Sequence, residues 1–173
     1  MPPLIVSYSY SGNTYRIAQQ LQAMTGGDWC EIHPWQPYPA AFPALLEQVR
    51  HEVRVGCRPR LLPGSKNPKP YSVVFVGTPN WCGTIAPPLA SWLAGNDLSG
   101  KIILPFCSHC GGVAGNIQNA VAKICPKADV RAALYIMDDG GVYLPETLRQ
   151  WLGKTDWGSP ALGRQCSACA SQR

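Results

Sequence analysis

Three short runs in this chain, residues 73–76 (Val-Val-Phe-Val), 102–104 (Ile-Ile-Leu) and 132–136 (Ala-Ala-Leu-Tyr-Ile), are apolar almost throughout. A strand with one wet face alternates apolar and polar side chains, whereas a strand covered on both faces does not. Double coverage belongs to parallel sheets, whose crossover connections lay helices on both sides. The segments between the runs have the matching periodicity. Ile17, Ala18, Leu21 and Met24 fall on one face of a helix predicted over 14–24, and Phe42, Leu45, Leu46, Val49 and Val53 on one face of a second. Further helices are predicted over 87–93, where Pro87 and Pro88 suit a first turn, over 116–124 and over 145–152. Strands are predicted over 4–8, 29–33, 72–77, 101–107 and 130–136. Five strands alternating with helices predict an α/β fold built on a doubly wound, five-stranded parallel sheet.

The alternation stops after Trp157. Residues 158–173 are rich in Ser, Ala, Gly and Cys, so one domain over 1–157 and a C-terminal tail over 158–173 are expected. With 173 residues, 46% apolar and only 14% charged, the chain is long and apolar enough to bury a core and is not of disordered composition. No apolar run approaches the roughly 18 residues of a membrane span. The N-terminus lacks the basic and apolar regions of a signal peptide, so a cytoplasmic, reducing location is expected, with the eight cysteines as thiols. The net charge of +5 is dispersed apart from Arg50, Arg54, Arg58 and Arg60. That group fits a solvated helix end, an acidic protein partner or a phosphate. It lacks the interleaved aromatics of a nucleic-acid stripe, and no nucleic-acid partner is expected.

Ligands of a doubly wound sheet bind beyond the carboxyl ends of its strands. The loop after the first strand reads Ser9-Tyr10-Ser11-Gly12-Asn13-Thr14 and opens a helix. Free backbone N–H groups, the helix dipole and three hydroxyls there form an anion site, and Gly12 lets the backbone come close. With no Lys or Arg in the loop, neutral donors would hold a monophosphate as a fixed anchor. Gly153-Lys154-Thr155 has no glycine five residues upstream, and the glycines at 111–115 lack the dinucleotide spacing, so neither is a nucleotide loop. The loop Thr78-Pro79-Asn80-Trp81-Cys82-Gly83-Thr84 carries an indole that either stacks on a flat ring or packs in the core, and backbone that could reach the ring's edge. The loop Ser108-His109-Cys110-Gly111-Gly112 adds polar contacts and close backbone. One phosphate loop and two flat-ring loops, each after a different strand, describe a site for flavin mononucleotide (FMN).

These residues carry a resemblance. Ser9-x-Ser11-Gly12-x-Thr14 looks like the flavodoxin phosphate signature. Gly77-Thr78-Pro79-x-Trp81, followed by Leu98-Ser99-Gly100-Lys101 and by Pro105-Phe106-Cys107-Ser108-His109-x-Gly111-Gly112, resembles the flavodoxin-like FMN proteins, as does Tyr38-Pro39. The resemblance spans residues 4–152 and implies the strand order 2-1-3-4-5 with noncovalent FMN. The phosphate would lie on Ser9, Tyr10, Ser11, Gly12, Asn13 and Thr14, and the ring between the 79–84 and 108–112 loops. The chain departs from the family in being basic, and in placing Cys110 where glycine is commoner.

Cys110 forms a CxxC with Cys107, and Cys166 forms another with Cys169. A dithiol beside a flavin could exchange electrons with it, but the first pair ends a strand rather than starting a helix, which would have lowered a thiol pKa. The two pairs are too far apart in sequence for a compact zinc module, so no metal is expected and unpaired thiols are the favoured state. His109 is the candidate proton carrier and Cys110 the candidate redox thiol of the site; His33 and His51 are read as structural or exposed. The expected function is electron transfer by an FMN-dependent NAD(P)H oxidoreductase acting on a small acceptor such as a quinone. The alternative is an electron carrier between a protein reductase and a partner enzyme. Trp92, Trp151 and Trp157 fit either a homodimer interface or core packing.

Overall fold

A computed structural model describes residues 1–111 and 115–158. The strands β1 (Leu4–Ser7), β2 (Asp28–Glu31), β3 (Val73–Trp81), β5 (Ile102–His109) and β6 (Asp129–Val130) lie side by side in the order β2-β1-β3-β5-β6, all parallel. With the fifth strand beginning at β6, this is the expected order. The helices α1 (Asn13–Thr25), α2 (Phe42–Val55), α3 (Pro87–Ala94), α4 (Ile117–Ile124) and α5 (Leu144–Lys154) cover both faces. Side chains alternate across each strand. Leu4, Val6, Val74, Val76 and Ile103 meet α2, α3 and α4, whereas Ile5, Phe75, Leu104 and Phe106 meet α1 and α5. The central strands are apolar on both sides for that reason.

Two segments differ from expectation. The fifth strand is not continuous: β6 and β7 (Leu134–Met137) both pair with β5. Residues 104–105 of β5 face residues 131–133, three against two, which is a bulge in a parallel ladder. Pro105 stands at that point, and its missing N–H removes a ladder donor in mid-sheet. The expected loop after the third strand is also regular. β3 runs on to Trp81, turns at Cys82 and Gly83, and returns antiparallel as β4 (Thr84–Ile85). Both turn residues have positive φ, 53° and 79°, as a two-residue hairpin turn of this hand requires.

Trp92, Trp151 and Trp157 are buried within the chain, at 2%, 8% and 5% exposure, so they belong to the core and not to a homodimer interface. Gly158 ends the described residues; the rest of the tail, with Cys166 and Cys169, lies outside them.

Candidate functional site

Beyond the carboxyl ends of β1, β3 and β5 the chain forms one open cavity of about 270 Å³. Its wall begins at α1. Gly12 caps that helix with φ +93°, no side chain caps the first turn, and no acidic residue stands in it. The helix therefore ends in uncovered N–H groups with positive potential. A Cβ placed on Gly12 would meet nothing within 4 Å, so the space above this backbone is open. Ser9 Oγ accepts from Gly12 N–H at 3.2 Å, which folds the loop back on itself. Ser11 is exposed, Asn13 is half-buried, and both line the cavity. Tyr10 donates its hydroxyl to the Pro39 carbonyl at 2.7 Å and leaves its ring exposed. Thr14 is buried and shares a hydrogen bond of 2.7 Å with Ser108, which ties the first loop to the end of β5.

The second wall is the hairpin. Pro79, Asn80, Trp81 and Cys82 line the cavity, whereas Thr78 does not. The Thr78 hydroxyl accepts from Ala86 N–H and donates to the Pro79 carbonyl, both at 2.9 Å, so it braces the hairpin against α3. Gly83 accepts from Asn116 N–H at 2.8 Å, and Thr84 lies on the far side of the hairpin. The Trp81 indole is held edge-on by Tyr38, Tyr8 and Tyr10, with ring centroids at 4.9, 5.5 and 5.9 Å. Trp81 thus packs on the core cluster, one of its two alternatives, and also lines the cavity. Tyr38 in turn donates to Glu52 Oε2 at 2.5 Å, and Gln48 donates to Glu52 Oε1 at 2.8 Å. Burial, then the bond to Glu52, pushes the Tyr38 hydroxyl's pKa far up; burial does the same to Tyr8.

The third wall is Ser108, His109 and Cys110. His109 Nδ1 accepts from Gly111 N–H at 3.2 Å, which leaves the proton of the neutral ring on Nε2. Gly111 is exposed; Gly112 lies outside the described residues. The two thiols of the first CxxC stand in different surroundings. Cys110 is exposed at the cavity, whereas Cys107 is fully buried on the α2/α3/α4 side, where burial pushes its thiol up to about 12. At pH 8, alkylation of native protein is expected to modify Cys82 and Cys110 first among the described cysteines. Cys107 should react on the order of a thousandfold more slowly, since its thiolate fraction falls with each pKa unit above the ordinary ~8.5. Peptide mapping after a short iodoacetamide pulse reads this directly, and equal labelling of Cys107 would contradict its burial.

Sequence reasoning missed the fourth wall. Phe42, Leu46 and Val49 of α2 close the cavity opposite α1. Phe42 is 69% exposed, so it opens the helix as a free aromatic rather than as a core residue. Their apolar spacing was visible, but the same stripe serves core and cavity alike.

A family model described as Flavodoxin matches residues 3–155. Among solved structures, a Bacteroides eggerthii protein described as a flavoprotein is 27% identical, with TM-score 0.75 over 88% of this chain and 96% of that one. A second, from Bacteroides uniformis, is 21% identical with TM-score 0.78, covering 88% and 98%. A flavoprotein of Lactobacillus acidophilus, solved in complex with FMN, is 16% identical with TM-score 0.69, covering 87% and 98%. No curated protein matches the chain. No described helix is long and apolar enough to cross a membrane.

Proposed function

The chain belongs to the flavodoxin family, and on that premise we propose that it transfers electrons on a noncovalently bound FMN. One observation carries this reading: the uncapped start of α1, with open space above Gly12, gives onto the same cavity as Trp81 and His109. A phosphate on the α1 N–H groups is stabilised by their hydrogen bonds and by the helix dipole. Ser9, Ser11 and the backbone of Asn13 and Thr14 are its donors. The hairpin on one side and the stretch from Ser108 to Gly111 on the other take the ring. Bound FMN supplies the redox chemistry, and the protein supplies position and electrostatics. His109 is the imidazole among the described residues of the cavity wall, and in this reading it is the group that holds a proton there. Cys110 stands without Cys107 as a partner thiol, so the dithiol route loses its second member.

The electron donor in this reading is NAD(P)H and the acceptor a small molecule such as a quinone, with delivery by a protein reductase as the second reading. Purified protein mixed with FMN and freed of excess is expected to keep the flavin absorbance bands. The double change Ser9→Ala and Ser11→Ala should weaken retention by about a hundredfold, as two lost hydrogen bonds to a charged group imply. Anaerobic NAD(P)H then bleaches the bands if the protein is a reductase; bleaching only when a protein reductase is added favours the carrier. Failure to retain any flavin would sink the reading at its base.

A further inference from the structure

Behind the hairpin lies a second cavity, of about 390 Å³, between α2, α3 and α4. It is separate from the cofactor cavity, since Thr84 and Ile85 of β4 line it rather than Trp81 and Cys82. Val53, Ile85, Ala90, Ala120 and Ile124 give it an aliphatic patch, beside which Cys57, Thr84 and Asn116 also line it. Its rim carries Arg58, just after α2, and Lys123, in the last turn of α4. Neither cation makes an ion pair with a described residue. The one acidic residue in the wall, Glu52, is only 9% exposed, and its two oxygens are already engaged by Tyr38 and Gln48. Its charge opposes one of the two cations, so the lining keeps a net positive charge from Arg58 and Lys123.

We propose that this cavity is a binding site for an amphipathic organic anion: an apolar chain or ring lying on the aliphatic patch, with one carboxylate or phosphate between Arg58 and Lys123. Two cations held at the mouth of one cavity with such a patch select this ligand over a neutral or cationic analogue, because only the anion recovers charge-assisted bonds as its tail is buried. The volume is within the range of small-molecule sites. The site does not depend on the flavin reading, and its ligand would lie one strand away from the cofactor cavity.

The test is calorimetric titration with octanoate and with octylamine, which share a chain and differ in head-group charge. Octanoate is expected to bind and octylamine to bind at least about tenfold more weakly. Arg58→Gln with Lys123→Gln should weaken octanoate about tenfold and erase the preference. Ala90→Trp, which fills the cavity, should abolish binding of octanoate while leaving the thermal transition cooperative. The titration is repeated with FMN present, and octanoate binding is expected to persist unchanged. Equal affinity for the two head groups, indifference to the double change, indifference to Ala90→Trp, or displacement by FMN would each overturn the proposal. Flavin retention is read separately from the absorbance bands, so the two readings fail separately.

Discussion

Gly77→Ala is expected to destabilise the protein by about 3 kcal/mol, at the upper end of what one added methyl costs in a packed core. Gly77 and Phe106 are register neighbours on β3 and β5. A Cβ on Gly77 would stand 2.3 Å from Phe106 Cζ and 2.5 Å from Cε2, well inside contact distance. The ring has no room to retreat, since Phe106 is fully buried among Leu104, Phe75, Ile136 and the side chains of α1 and α5. The clash therefore pushes the two central strands apart. Urea unfolding followed by far-ultraviolet circular dichroism measures the loss. Adding Phe106→Leu, which shortens the offending side chain, should recover part of it. A loss below about 1 kcal/mol in the single variant would mean that the ring moves more freely than its surroundings allow.

Tyr38→Phe is expected to cost about 2 kcal/mol, because it strands a carboxylate rather than merely deleting a hydroxyl. Glu52 is nearly buried, and the Tyr38 hydroxyl is the partner of its Oε2. A buried charged acceptor that loses its donor bears a desolvation penalty, whereas replacing both partners by apolar groups is far less costly. The double change Tyr38→Phe with Glu52→Leu should thus cost less than the two single changes added together, which a double-mutant cycle detects. The pH dependence has a definite sign. The Tyr38 pKa is raised in the fold, chiefly by burial and then by the bond to Glu52. Its contribution is complete below the ordinary tyrosine value of about 10. It declines as pH rises above that value, where the unfolded chain ionises and the folded one does not. The gap between wild type and Tyr38→Phe should therefore narrow in alkaline solution. The indole of Trp81, against which Tyr38 rests, should report the same loss in the near-ultraviolet.

The two layers of helices and the parallel sheet were legible because periodicity records burial, and burial here is decided strand by strand. Val73–Trp81 shows the limit of that signal. Its last residues include a proline and no apolar alternation, so they read as loop, yet Thr78 and Pro79 continue the ladder against Cys107 and Ser108. The turn that follows is Cys82-Gly83 rather than the Asn-Gly that announces a hairpin, and Cys82 accepts a left-handed backbone because its neighbours fix it there. At the cavity, the loop from Ser9 to Thr14 was legible from residue chemistry alone: hydroxyls and a glycine at a strand-to-helix turn. The pairing of Thr14 with Ser108, 94 positions apart, was not, and neither was the brace from Glu52 through Tyr38 to Trp81. Such contacts exist only once the sheet order has brought distant loops together. The break in the last strand had a visible sign in Pro105, but a proline in one strand does not tell which neighbour must yield.

The bulge also keeps one hydroxyl on its own face of the sheet. Side chains alternate with a period of two, so the extra residue between β6 and β7 would exchange the faces of β7 in a regular ladder, and the bulge absorbs it. Val130 and Tyr135 pack on the side of α2, α3 and α4, and Leu134 and Ile136 on the side of α1 and α5. That arrangement lets the Tyr135 hydroxyl donate to the Gly115 carbonyl at 2.5 Å and accept from Ile117 N–H at 3.2 Å, which anchors the start of α4. A chain shorter by one residue at 131–133 would set two residues against two, lose the bulge and still leave Tyr135 opposite Cys107 on the same face. Between relatives of this fold, a one-residue gap at this point of the last strand therefore trades a bulge for a regular ladder and leaves the layer that strand serves unchanged.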